Sequence, residues 1–180
     1  MLYATPDELE ALSLGQRIAV IDRGRIVQVG TPDELFDRPK DRFVAALVGS
    51  PKMNLVPAAS AKDGTAVRLP FAEVAGGPWA GALGAFPAGT GLLFGFRPHD
   101  VRPAAATGEA RGPRFAARVH LTEPLGDVTV LDMEARGGTA FRMVLPEERA
   151  LDYRQGDEVE LELAVAESHL FAVDTGTAIR

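Results

Sequence analysis

The sequence contains no cysteine. That excludes a disulfide framework, thiol chemistry and any cysteine-ligated zinc site. Histidine is nearly as scarce: His99, His120 and His169 are the only three, far apart and without metal-ligand spacing. No metal is expected. A long hydrophobic run is also missing. The most apolar stretch, Gly91-Leu92-Leu93-Phe94-Gly95-Phe96, is far shorter than the ~20 residues of a membrane-spanning helix. No basic region follows Met1, so no signal peptide is expected. Positive charge is not in excess either. Residues 1–50 hold six basic and eight acidic side chains, residues 51–180 thirteen and seventeen, for a net −6. Neither part offers the basic surface that phosphate backbones require. The one tryptophan, Trp79, sits in a Gly/Pro-rich stretch and leaves little for base stacking. Nucleic-acid binding and direct membrane insertion are therefore not expected, and a soluble cytoplasmic chain is.

What is present is globular: 46% hydrophobic with 24% charged residues is too apolar for a disordered chain. A length of 180 residues allows one ordinary domain, or one domain plus part of another. The stretch Leu47 to Leu55 divides the two. Gly49 tolerates a left-handed helix end and Pro51 cannot continue a helical ladder. Before it the pattern is helical around one hairpin; after it come short strands and turns. The expected fold class is mainly β with a small α/β N-terminal segment, divided as residues 1–50 and 51–180.

Thr5-Pro6-Asp7-Glu8-Leu9 and Thr31-Pro32-Asp33-Glu34-Leu35 are the same pentapeptide. Thr at the cap, Pro at N1 and Glu at N3 make each a helix start. The pattern predicts helices over Pro6–Leu14, Pro32 to about Asp37 and Asp41–Val48, the last with Phe43 and Leu47 on one face. Residues 17–21 and 25–29 alternate around Asp22-Arg23-Gly24, a hairpin signal. Fifty residues would struggle to bury a core alone.

Several strings in this segment follow in a telling order: Tyr3-Ala4-Thr5-Pro6-Asp7-Glu8, Asp22-Arg23-Gly24-Arg25-Ile26, Gln28-Val29-Gly30-Thr31-Pro32, Phe43-Val44-Ala45 and Gly49-Ser50-Pro51-Lys52-Met53-Asn54. The succession resembles the end of the ATPase domain in the ATP-binding subunits of sugar-importer (maltose-type) ABC transporters. The resemblance implies a cytoplasmic protein, peripheral to the inner membrane, whose full-length parent uses ATP and Mg and docks membrane permease subunits. This chain itself has no Gly-x-x-x-x-Gly-Lys-Ser/Thr loop, no Leu-Ser-Gly-Gly-Gln string and no apolar strand ending in Asp-Glu. Without that loop nothing cradles ATP phosphates. At the place of the family's γ-phosphate-contacting histidine stands Pro6, with no side-chain donor or acceptor. The chain alone is not expected to be an enzyme, with no catalytic residue and no cofactor of its own.

From Asn54 the period is two. Strands are expected over residues 65–69, 91–96, 115–121, 127–135, 140–145, 157–165 and 169–173, with Gly137-Gly138 as a tight turn. Val159, Leu161, Leu163 and Val165 would face inward, and Glu158, Glu160 and Glu162 would form a solvated face. Residues 75–91 read as irregular loops, and 103–113 as a linker between two β halves. Such a set predicts a small barrel or sandwich. Gly95-Phe96-Arg97-Pro98-His99-Asp100, Glu123-Pro124-Leu125-Gly126-Asp127 and His169-Leu170-Phe171 resemble the OB-like (TOBE or MOP-like) regulatory β-barrel domain of the same subunits. That implies a regulatory module that forms a homodimer through the β-domain.

Two clusters are candidate contact sites for a ligand or partner. Arg97, His99 and Asp100 follow an apolar strand, where the fork-shaped Arg can grip an anion or simply bond loop carbonyls. Glu123, Gly126 and Asp127 join two strands where OB-like folds bind ligands, or form a plain solvated turn. The alternative function is therefore a small-ligand module for an oxyanion or a sugar-derived effector.

Overall fold

A computed structural model describes residues 1–105 and 110–180. The N-terminal segment comprises α1 (Glu8–Leu14), the antiparallel hairpin of β1 (Ile18–Asp22) and β2 (Arg25–Gly30), α2 (Pro32–Asp37) and α3 (Arg42–Leu47). The repeated pentapeptide caps only one helix as expected. Thr31 accepts from the Glu34 N–H while Glu34 bonds back to the cap, a full capping box. At α1 the cap is Asp7 instead, accepting from Leu9 and Glu10, and Thr5 binds the Asp7 N–H. α1 buries no residue, so no packing selects the longer helix. In α3 the buried face carries Val44 and Ala45, while Phe43 is partly exposed. Val20, Leu35, Val44 and Val48 form this segment's own small core.

The rest forms two sheets. β3 (Asn54–Ser60), β4 (Ala66–Arg68), β5 (Glu73–Ala75), β6 (Gly91–Phe96), β12 (His169–Ala172) and β13 (Ala178–Ile179) make one, in the order β13-β12-β6-β3-β4-β5. β7 (Val101–Pro103), β8 (Arg114–Pro124), β9 (Val128–Ala135), β10 (Thr139–Pro146) and β11 (Glu158–Leu163) make the other, in the order β10-β9-β8-β11-β7. A short helix α4 (Glu147–Ala150) follows β10. Both sheets contribute to one core: Val56, Phe94 and Phe96 from the first meet Val119, Met133 and Phe141 from the second. Gly137 and Gly138 both take positive φ, 81° and 75°, and with Arg136 they form a three-residue β9–β10 loop, one residue longer than a two-residue hairpin.

The sequence expectation fails locally in several places. β3, paired with β6 and β4, lies outside every expected strand. Residues 75–91 are not all loop: β5 and a 3₁₀ turn over Ala80–Ala85 cross them. Trp79 there is buried, its indole Nε1 donating to Ser168 Oγ at 3.0 Å. Leu121 does not continue the inward row of Phe115, Ala117 and Val119, because a bulge between Val119 and Leu121 shifts the register and leaves it exposed. Glu162 is not solvated. It is buried, accepting from Arg102 Nη2 at 3.1 Å and from the Arg111 N–H at 2.8 Å. Those bonds hold its carboxyl below the usual carboxylate range, the Arg111 amide most of all. The expected linker over 103–113 lies in part outside the described residues. Its ends are β7 and an irregular approach to β8.

Candidate functional site

Arg97 follows β6 and is buried at 3% exposure. Its guanidinium reaches into the N-terminal segment, donating through Nη2 to the Phe36 carbonyl at 2.8 Å and through Nη1 to the carbonyls of Ala45 (3.3 Å) and Val48. These acceptors belong to the ends of α2 and α3, where carbonyls lack intrahelical partners and the helix dipole is negative. The Phe36 ring covers the group, 4.0 Å from the guanidinium carbon. One planar fork thus closes two helix ends at once, which a lysine's point charge does not do.

The neighbouring sequence makes room for it. Gly49 has φ 108°, and an added Cβ would meet Arg97 Nη1 at 3.0 Å and the Phe36 ring at 3.1 Å. Gly95 faces Met53 Sδ, which a Cβ would approach to 2.8 Å. Asn54 then crosses to the other sheet, giving its Nδ2–H to the Arg142 carbonyl and taking the Arg142 N–H on Oδ1. Gly49, Met53 and Asn54 of the diagnostic string therefore each have a structural task at the junction.

Desolvation lowers the Arg97 pKa to about 10, which leaves it charged at neutral pH. Asp100 closes the turn: its Oδ2 accepts the Arg97 N–H at 2.8 Å, while burial pushes its carboxyl above the usual range. His99 is more open, stacking on Phe36 at 6.3 Å with Nε2 3.6 Å from Asp100 Oδ1. Nothing in the sequence marks His169 as a site residue, yet it lines the same small cavity of about 60 Å³ with Asp37 and Glu167. Burial, then the charges of Arg97 and Arg180, push its pKa down to about 4. A space that size holds a water or two and not a sugar.

The second cluster lies elsewhere. Glu123, Gly126 and Asp127 form the exposed β8–β9 turn, with Gly126 at φ 102°. The structure thus brings Arg97, His99 and Asp100 together and keeps Glu123, Gly126 and Asp127 apart from them. A larger open groove of about 470 Å³ runs between the 3₁₀ turn and β13, and no candidate residue lines it. Among the described residues, no three His, Asp or Glu side chains gather as a metal site. No helix among them is long and apolar enough to cross a membrane.

Residues 94–171, from β6 to β12, match the TOBE domain. The chain is 33% identical to the sn-glycerol-3-phosphate import ATP-binding protein UgpC of Cupriavidus metallidurans, over 99% of this chain and 48% of that protein. It is 35% identical to the trehalose/maltose import ATP-binding protein MalK of Thermococcus litoralis, with 99% of this chain and 48% of that protein covered. The chain carries a TOBE domain and is a relative of the sugar-importer ATP-binding subunits. The trehalose import ATP-binding protein SugC of Mycobacterium tuberculosis is 40% identical over 69% of this chain and 32% of its own length. The chain spans about half the length of the first two relatives. Among solved structures, the cytoplasmic molybdate-binding protein ModG covers 65% of this chain and 94% of its own, with a TM-score of 0.52 and 16% identity. That likeness shows the fold: the β part is OB-like, as its strand pattern predicts. Arg97, His99 and Asp100 lie inside the TOBE match, whereas the carbonyls that hold Arg97 lie before it.

Proposed function

We propose that this chain is the non-catalytic C-terminal portion of an importer ATP-binding subunit, carbohydrate-type, in which the TOBE domain acts as a regulatory and dimerising module. The observation that carries the reading is the Arg97 clasp. A residue of the TOBE domain terminates both α2 and α3 of the preceding segment, so a displacement of that domain would pull directly on residues 36–48. The relatives' names supply the setting: each is an import ATP-binding protein. ATP and Mg would be handled by the part of such a subunit that this sequence does not match, since no phosphate loop occurs in it. Permease subunits would dock there too, at the cytoplasmic face of the inner membrane, and a second copy would pair through the β-domain. The oxyanion alternative draws only on the ModG fold likeness, and the guanidinium it would need is directed at carbonyls.

The test is a chimera in which these residues replace the matching half of the Thermococcus litoralis protein, reconstituted with its permease. The reading expects transport-coupled ATP turnover to persist and to fall when Arg97→Ala is introduced. Turnover indifferent to Arg97→Ala would overturn the coupling role. A strict monomer by light scattering would overturn the dimer.

A further inference from the structure

Among the described residues of 51–180, five large apolar side chains are exposed: Leu121, Leu125, Val128, Leu151 and Val173. Val173 follows β12 of the other sheet. Of the remaining four, Leu125, Val128 and Leu151 come to one end of the five-stranded sheet, with Leu121 farther along β8 opposite Asp132. Leu125 lies in the β8–β9 turn, and Val128 opens β9 opposite Pro146 of β10. The Glu147 N–H donates to the Asp127 carbonyl at 3.2 Å, which starts α4 beside that turn. Leu151 follows α4, and the Gly156 N–H returns the chain to the Val119 carbonyl of β8 at 2.8 Å. The bulge in β8 turns Leu121 outward. Scattered exposed leucines need no explanation; a cluster rimmed by charge marks a contact surface.

The rim is net acidic. Glu123, Asp127, Glu148 and Asp152 are exposed around the four apolar residues, and none belongs to an ion pair among the described residues. Of the nearby cations, Arg154 is exposed and donates to the Leu151 and Tyr153 carbonyls. Arg149 and Arg154 offset the four acids only in part.

We propose that this end of the TOBE domain docks a basic amphipathic segment of a different protein, its apolar residues on Leu125 and Leu151 and its Lys or Arg side chains on the acidic rim. Apolar anchors within a charged rim are the general anatomy of such interfaces, and the sign of the rim selects the partner. A second copy would set this rim against itself, so the homodimer contact proposed above would use another face. Anionic membrane surfaces and nucleic acids are disfavoured by the same sign. The inference deepens the reading of the chain as an interaction module by naming a partner class.

The experiment is a methyl NMR titration of the full chain with a synthetic amphipathic helix of leucine and lysine, against the same helix with glutamate for lysine. The proposal expects saturable shifts confined to Leu121, Leu125, Val128 and Leu151 with the lysine helix and none with the glutamate one. Leu125→Ser with Leu151→Ser, both exposed and so tolerated by the fold, should weaken binding about 10-fold or more. Asp127→Asn with Glu148→Gln should weaken it less and remove part of the salt dependence. No saturable binding, shifts elsewhere, or equal binding of both helices would overturn the proposal. So would concentration-dependent shifts of these methyls without any peptide, which would assign the surface to a second copy. The titration does not involve nucleotide or permease, so its failure is separable from failure of the transporter reading.

Discussion

The side-chain amide of Asn54 pairs with the backbone of Arg142 in both directions, each bond 2.8 Å long. Asn54 begins β3 in one sheet and Arg142 lies within β10 of the other, so a buried side chain serves here as a rung between sheets. Asn54→Ala would leave a part-buried N–H and carbonyl of Arg142 without their side-chain partner and should cost about 1 kcal/mol. Asn54→Asp, which accepts but does not donate, should also destabilise. Urea midpoints at unchanged slope are the check.

Arg97 should behave as a clasp and not as a surface cation. Arg97→Lys supplies charge without the fork and should fail to hold Phe36, Ala45 and Val48 together. The expected loss is roughly 2 kcal/mol or more, because several buried carbonyls lose their donors. Amide hydrogen exchange should rise over residues 32–50 while β8, β9 and β10 stay protected. Uniform loss of protection would mean that the two parts unfold as one unit.

His169 predicts an acid-sensitive stability. Its folded pKa, about 4, lies below the ordinary imidazole value of 6.5, so the unfolded chain binds the extra proton between those limits. Its contribution is complete above pH 6.5 and is lost as pH falls toward 4. The span corresponds to at most about 3 kcal/mol. Asp100, with its carboxyl pushed up, acts in the opposite sense. A comparison with His169→Gln isolates the imidazole: the variant's stability should fall less steeply than the parent's across this window. Parallel curves would contradict the assignment.

Trp79 should report unfolding. It is the one tryptophan and is 1% exposed, bonded to Ser168, whose hydroxyl donates to Val165. Emission should be blue-shifted in the native state and move to red in one transition. Trp79→Phe leaves Ser168 without that donor and should cost about 1 kcal/mol or more.

Much of the fold was legible where local chemistry decides it. Pro32–Asp37 and Gly91–Phe96 fall where caps and apolar runs place them, and Gly137-Gly138 admits little but a tight hairpin. The misses have non-local causes. Two identical pentapeptides cap differently in unlike surroundings: Leu35 of the second is fully buried, whereas its counterpart Leu9 in the first is exposed. Period-two reading put Glu162 in solvent, and nothing nearby in sequence announces Arg102 or Arg111. Trp79 lies 89 residues from Ser168. The motif strings lead to the clasp residues, and His169 enters the same cavity unannounced because, Glu167 aside, its neighbours there come from two other parts of the chain.

The most direct test of the central claim is ATP turnover by the purified 180-residue chain with Mg present. The account predicts none above the buffer blank, with turnover appearing only when the chain is joined to the ATPase half of a relative. Hydrolysis by the chain alone would contradict it and would require a nucleotide site that these residues build without a phosphate loop.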